Sequence, residues 1–567
     1  MEEGREDLKS IMGYLPVVWR SSRIFWPSQT VEALKVIAGG PEQSHIDSGE
    51  LLFVAISDLR HSLTLSAEPL APSAPEGYGL FFNQLISSEE SSKWFEEVVP
   101  ALANLLLKLP SLLELHYQNQ HGFGLRLLDS QQPGTVLLGQ ELIGALLGCS
   151  FFCLFPVSNR GPRDLPTINF DRLFACLYDH YSLKQQSKIR CIIHYFERIC
   201  SHMPAGYVSF ERKILPLERP FLSISYPNAA FWSTSRTPLC RLEVCSSGLI
   251  EDQSSAALEV DFANKYIGGG ALHSGCVQEE IRFMINPELI AGMLFLPSMA
   301  DNEAIEIVGS ERFSNYTGFN LLKYRYASSF RFSGDHVDKR EVDSFARRKT
   351  RIIAIDALCS PGMRQYKLEC LLREVNKAFC GFLDQSKYRQ YERLSQDNGY
   401  CGAQHYLDIK EPYYMTRDAL LVNEATSTSV EIYGGNLENV ALRNSQEKSC
   451  QSLVHEDNLG VVTGNWGCGA FGGDPELKAI IQWLAASQGL RPFISYYTFG
   501  LQALHNLKQV SEWILSHEWT VGDLWNMVAE YSLQRLNGKI IDIGFFTWLL
   551  PSLSANHTSI SDLLDTT

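Results

Sequence analysis

No CxxC pair occurs among the 14 cysteines, which are scattered from Cys149 to Cys468. That absence argues against a zinc module or a disulfide framework and predicts an intracellular chain of reduced, mostly buried thiols. Cys149 and Cys153 are spaced CxxxC, but they lie in an apolar segment without nearby histidine, so no metal is assigned to them. Positive charge is scarce: 49 Lys and Arg face 64 Asp and Glu, a net charge of −15. So acidic a surface argues against non-specific hold on nucleic acid or anionic membrane, and taken alone against any polyanionic substrate. Long apolar runs are missing too. The longest uncharged one, Leu142 to Val157, falls short of the ~20 residues of a spanning helix and predicts a buried helix. The opening MEEGREDLKS is acidic and polar, unlike a signal or transit peptide. What is present is 567 residues, 45% hydrophobic and 20% charged, ample for a sizeable core.

The first third reads as helical. After Ser92, residues Phe95, Val98, Leu102, Leu105 and Leu109 recur at helical spacing, with a kink or break expected at Pro100. Helical periodicity returns at Leu138 to Phe155 and at Leu183 to Arg198, and Ser66 to Pro75 reads as a surface loop. The character changes after about Phe210. Leu242 and Val244 alternate with Arg241 and Glu243. Ile305 to Val308, Ile352 to Ile355, Leu459 to Thr463 and Phe493 to Tyr497 are apolar runs of buried strands. Between the last two lies a helix with Asp474 as cap, Pro475 at its first position and Gly489 at its end. The expected organisation is a helical accessory region over 1–210 and an α/β domain over 211–567. A polar insertion interrupts the latter at about 383–457, Thr520 with Asp523 forms a capping box, and the last dozen residues form a tail.

Two stretches carry chemistry. In the first, Val260-Asp261-Phe262-Ala263-Asn264 leads through Gly268-Gly269-Gly270 to Gln278-Glu279-Glu280. Consecutive glycines permit close approach and unusual backbone angles, and the loop sets carboxylates on both of its sides. A plain turn between two elements with solvated acids is the competing reading. In the second, Gly464-Asn465-Trp466-Gly467-Cys468-Gly469-Ala470-Phe471-Gly472-Gly473 joins a buried strand to the helix capped by Asp474. Free N–H groups at a helix N-terminus would form a phosphate cradle, although no Gly-Lys-Ser/Thr follows and GxGxxG is not matched convincingly; a glycine-rich structural turn is the competing reading. Together the stretches offer clustered carboxylates and a diphosphate site, which cleavage of a sugar bond in a nucleotide-diphosphate ligand needs. Adjacent glutamates on a regular helix diverge, so Glu279 and Glu280 are expected to face the bond differently.

These motifs resemble those of the poly(ADP-ribose) glycohydrolase family. The likeness rests on VDFANKYIGGG, VQEEIRFMINPELI, NYTGF, IIAIDAL, NKAFCGF, TGNWGCGAFGGD and YYTFG, in the family's order, over roughly Gly139 to Leu533. The resemblance implies a macrodomain-like α/β/α three-layer core with a mixed sheet, plus an N-terminal helical accessory region. It implies hydrolysis of the ribose–ribose O-glycosidic bonds of poly(ADP-ribose), without cofactor or metal. By position, Glu280 resembles the catalytic acid and base, Glu279 the neighbour that holds the ribose hydroxyls, and Asp261 and Asn264 their partners. Gly269, Gly270 and Gln278 belong to the same loop and helix start. Asn465, Gly467, Gly469, Ala470 and Phe471 match the loop around the diphosphate, Phe499 the residue on the distal ribose, and Ile250 and Glu251 the adenine site. Phe319 stands where the family often has an adenine-stacking Tyr, which keeps the stacking and loses a hydroxyl.

The resemblance also implies poly(ADP-ribose) and ADP-ribosylated proteins as partners, no sequence-specific nucleic acid, no membrane, a monomer, and residence in nucleus and cytoplasm. The basic run Arg347 to Arg351 reads as a nuclear signal or as the lead into a strand. The first alternative is a reader that binds ADP-ribose without cutting; it needs the cradle but not the QEE acids. The second is a metal-dependent phosphohydrolase, for which no His/Asp ligand cluster is apparent. The polyanion conflicts with the acidic surface only if affinity comes from surface charge. One enclosed unit held by backbone N–H groups and aromatic faces removes the conflict and predicts a weak salt dependence.

Overall fold

The computed structural model describes residues 2–119, 122–219, 222–253, 257–318, 330–384 and 459–551. The insertion expected at about 383–457 lies outside these residues apart from its first two positions, and the C-terminal tail lies wholly outside them. Eight strands form the main sheet: β1 Gly134–Gly139, β2 Tyr207–Ile214, β3 Arg241–Cys245, β4 Ala257–Ala263, β5 Glu303–Val308, β6 Arg351–Asp356, β7 Gly460–Thr463 and β8 Phe493–Tyr497. Their order across the sheet is β1-β2-β5-β6-β4-β7-β8-β3. The five from β6 to β3 run parallel, while β5, β2 and β1 pair antiparallel at one side. The sheet is therefore mixed, as expected.

Parallel strands buried on both faces read as continuous apolar runs, and β6 shows why. Ile352 and Ala354 join the core shared with the N-terminal helices, while a methyl at Gly381 of the helix Leu368–Phe382 would stand 2.9 Å from Ile355 and 3.0 Å from Ile353. The sheet is covered on both sides, which makes three layers. The outer helices on the second side are locked by Trp232, fully buried, whose indole donates to Asn376 Oδ1 at 2.8 Å and packs edge-on to Phe379.

The helical layer is not a separate body. One hydrophobic cluster runs from Leu8, through Leu102, Leu146 and Phe196, to Phe210, Ile305 and Ala354 of the sheet. The division expected at 210 falls inside β2, and Met1–Leu383 with Gly460–Thr567 forms one compact unit. β1, which precedes 210, also belongs to the main sheet. β2 was hidden in the sequence by Arg212 and Lys213, yet both are buried: Arg212 pairs with Glu303 and donates to Leu128 and Pro297 carbonyls, and Lys213 pairs with Glu306 at 3.2 Å. The helix expected after Ser92 starts earlier. Ser87 and Glu90 form a capping box, and helix continues to Asn119 through a widened π-turn at Trp94–Val98. That turn lies where the ring and missing N–H of Pro100 would otherwise disrupt regular α-geometry. Of the buried helix expected over Leu142 to Val157, residues Leu142 to Phe155 are buried, but the helix runs only over Gln140–Phe151, Leu138 and Gly139 belong to β1, and Pro156 and Val157 are half-buried.

The basic run before β6 is paired throughout: Arg347 with Asp343, Arg348 with Glu311, Lys349 with Glu341 and Arg351 with Glu306. Its charges serve the fold locally.

Candidate active site

β4 is central, and its register with β6 sets Asp261 opposite Ala354. The loop that leaves its C-terminal end closes on itself through Gly269 N–H to Tyr266 O (2.9 Å) and Ala271 N–H to Gly268 O (2.8 Å). It then enters the helix Gln278–Ile285. β7 covers β4 only as far as Glu259. Beyond that the Gln278 amide replaces a strand, accepting from Phe262 N–H (2.8 Å) and donating to Val260 O (3.1 Å). Gln278 is thus a brace as well as a wall of the cleft.

Glu279 and Glu280 do not diverge. Glu279 accepts from Gly268 N–H at 2.7 Å and Asn264 N–H at 2.9 Å; Glu280 accepts from Val277 N–H at 2.7 Å and Gly270 N–H at 2.9 Å. The expectation failed because both stand in the first helical turn, where long side chains lean toward the N-terminus and the loop wraps that end. Gly269, at φ +46°, explains its own identity: a methyl there would lie 2.5 Å from Glu279 Oε2 and 2.9 Å from Glu280 Oε1. Gly270 presses equally close on Gly275, 2.9 Å from a methyl to its Cα.

Asp261 is 1% exposed, and neither carboxyl oxygen has a hydrogen-bond partner among the described residues. Burial pushes its pKa up to about 8, with Arg282 opposing and Glu280 adding to the rise. Burial, then Asp261 and Glu280, hold Glu279 well above the usual carboxylate range, against its two backbone donors. Asp261 and Glu279 each raise the other's hold on a proton, so their titration belongs to the pair. The Asn264 side chain accepts from Tyr266 N–H (3.0 Å), which fixes the turn leaving β4.

A shallow cleft opens beside this cluster, lined by Leu249, Ile250, Glu251, Gln278, Ile281, Arg282, Tyr316 and Phe499. Of its sequence-predicted walls, Ile250 is buried, Glu251 accepts from Tyr316 OH at 2.5 Å, and Phe499 sits at φ +51°. Phe319 lies outside the described residues. The sequence reading missed Arg282 and Arg340, which clamp the buried Glu259 at 2.6 Å each, and Tyr316 itself. Tyr316 lies three residues before Phe319 within NYTGF and was within reach; the Arg–Glu clamp joins residues distant in sequence and left no local signal.

The second loop leaves β7, next to β4. Trp466 is wholly buried and donates to Ile355 O at 2.9 Å, and Lys478, paired with Glu374, lies 4.0 Å from its ring. Gly467 has φ +72°, and a methyl there would come within 2.6 Å of Ala357 Cβ. Asn465 spends its amide on the end of β8, donating to Thr498 O (3.1 Å) and accepting from Tyr496 OH (3.2 Å). Asp474 caps the following helix through Glu476 and Leu477 N–H, as predicted. Among the described residues no acceptor meets the N–H groups of Gly469, Ala470 and Phe471. Unmet donors beside a helix N-terminus suit an anion. Both loops lie at carboxyl ends of adjacent parallel strands, where open α/β sheets bind ligands.

Residues 229–506 match the family model described as poly(ADP-ribose) glycohydrolase, macro domain fold, and residues 86–212 match its helical domain. The chain is 58% identical to Poly(ADP-ribose) glycohydrolase 1 of Arabidopsis thaliana over 98% of this chain and 99% of that protein. It is 52% identical to Probable poly(ADP-ribose) glycohydrolase 2 of the same plant, over 97% and 100%. Poly(ADP-ribose) glycohydrolase 1 of Caenorhabditis elegans is 29% identical, over 61% of this chain and 35% of its own length.

Proposed function

The chain belongs to the poly(ADP-ribose) glycohydrolase family, and from that premise we propose that Glu280 is its catalytic acid and base. The protein is a glycosidase that hydrolyses the ribose–ribose O-glycosidic bonds of poly(ADP-ribose) and releases ADP-ribose. Such cleavage passes through an oxocarbenium-like state and needs a proton for the leaving oxygen and a base for the incoming water. Glu280 supplies the proton and then takes one from water. The N–H groups of Gly270 and Val277 aim its carboxyl. Glu279 holds ribose hydroxyls and, with Asp261, keeps protons in the cluster near neutral pH. The loop over Asn465 to Phe471 wraps the diphosphate, and the cleft at Ile250, Glu251 and Phe499 takes the adenosine side.

One observation carries this reading: two neighbouring glutamates turn onto one glycine loop with a third carboxyl buried beside them that has no hydrogen-bond partner among the described residues. A reader needs the cradle and an adenine recess but no such cluster. The polymer on ADP-ribosylated proteins is the proposed target, met by a monomer in nucleus and cytoplasm, where such polymer is made.

Digestion of end-labelled poly(ADP-ribose), with products resolved by size and charge, tests the chemistry. ADP-ribose formed equally with and without EDTA is expected. Phosphoribosyl-AMP as product, or loss of activity in EDTA, would point to phosphoanhydride cleavage, and intact polymer to a reader.

A further inference from the structure

Lys188 belongs to the helix Leu183–Ser201 of the helical layer, far in sequence from the glycine loop, and is wholly buried. Its ammonium donates to the carbonyls of His273 and Gly275 at 2.6 Å each and of Gly270 at 3.3 Å. An ammonium has three donors, and here all three go to one loop. No carboxylate forms an ion pair with it among the described residues. Burying a charge without a counter-ion is unfavourable unless its hydrogen bonds are met, so six residues of loop are held by one cation. The clamp closes around the acid. Gly270 N–H donates to Glu280, and a methyl at Gly275 would stand 2.8 Å from Glu280 Oε1.

We propose that Lys188 is a positioning residue for the hydrolysis: it clamps residues 270–275 so that Glu280 meets the glycosidic oxygen. The helical layer thereby completes the active site. The inference rests on Glu280 being the acid. Groups facing Lys188 are Glu280 from its helix, Cys276 from the loop, Cys176 from the helix Asp171–Asp179, and Lys184 on its own helix; His273, on the same loop, also faces Arg172 and Asp171. Burial first of all pushes Lys188 down to about 8, so it is charged at neutral pH.

The test compares Lys188→Met, Lys188→Gln and Glu280→Gln with the wild-type chain, reading kcat across pH and Kd for ADP-ribose. In Lys188→Met, kcat falls about 100-fold, as for a reacting group displaced by an ångström. Kd for ADP-ribose stays within about 3-fold, because the loop after β7 does the holding. Lys188→Gln keeps two donors, so its kcat falls less than that of Lys188→Met. Wild-type kcat in Lys188→Gln would overturn the proposal. So would equal losses of kcat and ADP-ribose affinity, which mark a residue that only supports the fold. If the Met variant does not fold, the Gln variant decides alone. Activity surviving in Glu280→Gln would instead remove the assignment of the acid, whatever Lys188 does.

Discussion

Two glycine-rich loops leave neighbouring parallel strands and use their backbones in opposite ways. After β4, the N–H groups of Gly268 and Gly270, with those of Asn264 and Val277, are spent on Glu279 and Glu280. After β7, those of Gly469, Ala470 and Phe471 meet no acceptor among the described residues. Each loop runs into a helix whose second residue is a glutamate, and that residue marks the difference. Glu279 folds back onto its loop, whereas Glu476 turns away and accepts from Phe546 N–H at 2.6 Å. In the second helix the cap is Asp474, which serves the helix's own N–H groups and leaves the loop open. Glycine content therefore does not distinguish a catalytic loop from a cradle; the first-turn acids do. In the proposed reading the first loop carries the proton chemistry and the second holds the anion.

Gly269→Ala gives the largest effect on that division. Its methyl displaces both glutamates, so kcat falls about 100-fold while ADP-ribose titrates as in the wild type. Gly467→Ala is the mirror variant. Strain at φ +72° and contact with Ala357 distort the cradle, and Kd for ADP-ribose rises about 10-fold with the pH profile of kcat unmoved. Asp261→Asn separates stability from activity. The folded pKa of Asp261 lies near 8, above an unfolded value of about 4, so its favourable contribution is complete below pH ~4 and is lost as pH rises toward 8. The Asn variant should therefore gain Tm over the wild type at pH ~8 and little or none at pH ~4, and lose activity at both. The smallest effect belongs to Asp474→Ala, which removes a helix cap worth about 1 kcal/mol in a urea melt and leaves the catalytic pH profile alone.

What could be read in the sequence follows the same physics. β5, β6, β7 and β8 are visible because their apolar runs face packed layers on both sides, and the edge strand β3 because its apolar and charged residues alternate. β2 is not, since Arg212 and Lys213 are neutralised by Glu303 and Glu306 on another strand. β4 is legible as a motif and not as a strand, because Glu259, paired with Arg282 and Arg340, and Asp261 interrupt its apolar pattern. The carboxyl cluster, the glycine loop and the Asp474 cap were legible as local spacing. Lys188, Arg282 and Arg340 were not, because each acts through a partner brought close only by the fold. Asn465 and Gln278 are expected as site residues from their motifs, and the structure shows their amides bracing the strand ends.

The most direct measurement is ADP-ribose binding by calorimetry beside cleavage of labelled polymer, both on Glu280→Gln. Cleavage reduced by about 1,000-fold or more with wild-type affinity for ADP-ribose is the predicted result. Cleavage at the wild-type rate, or a parallel loss of affinity, would contradict the separation of chemistry from holding between the two loops.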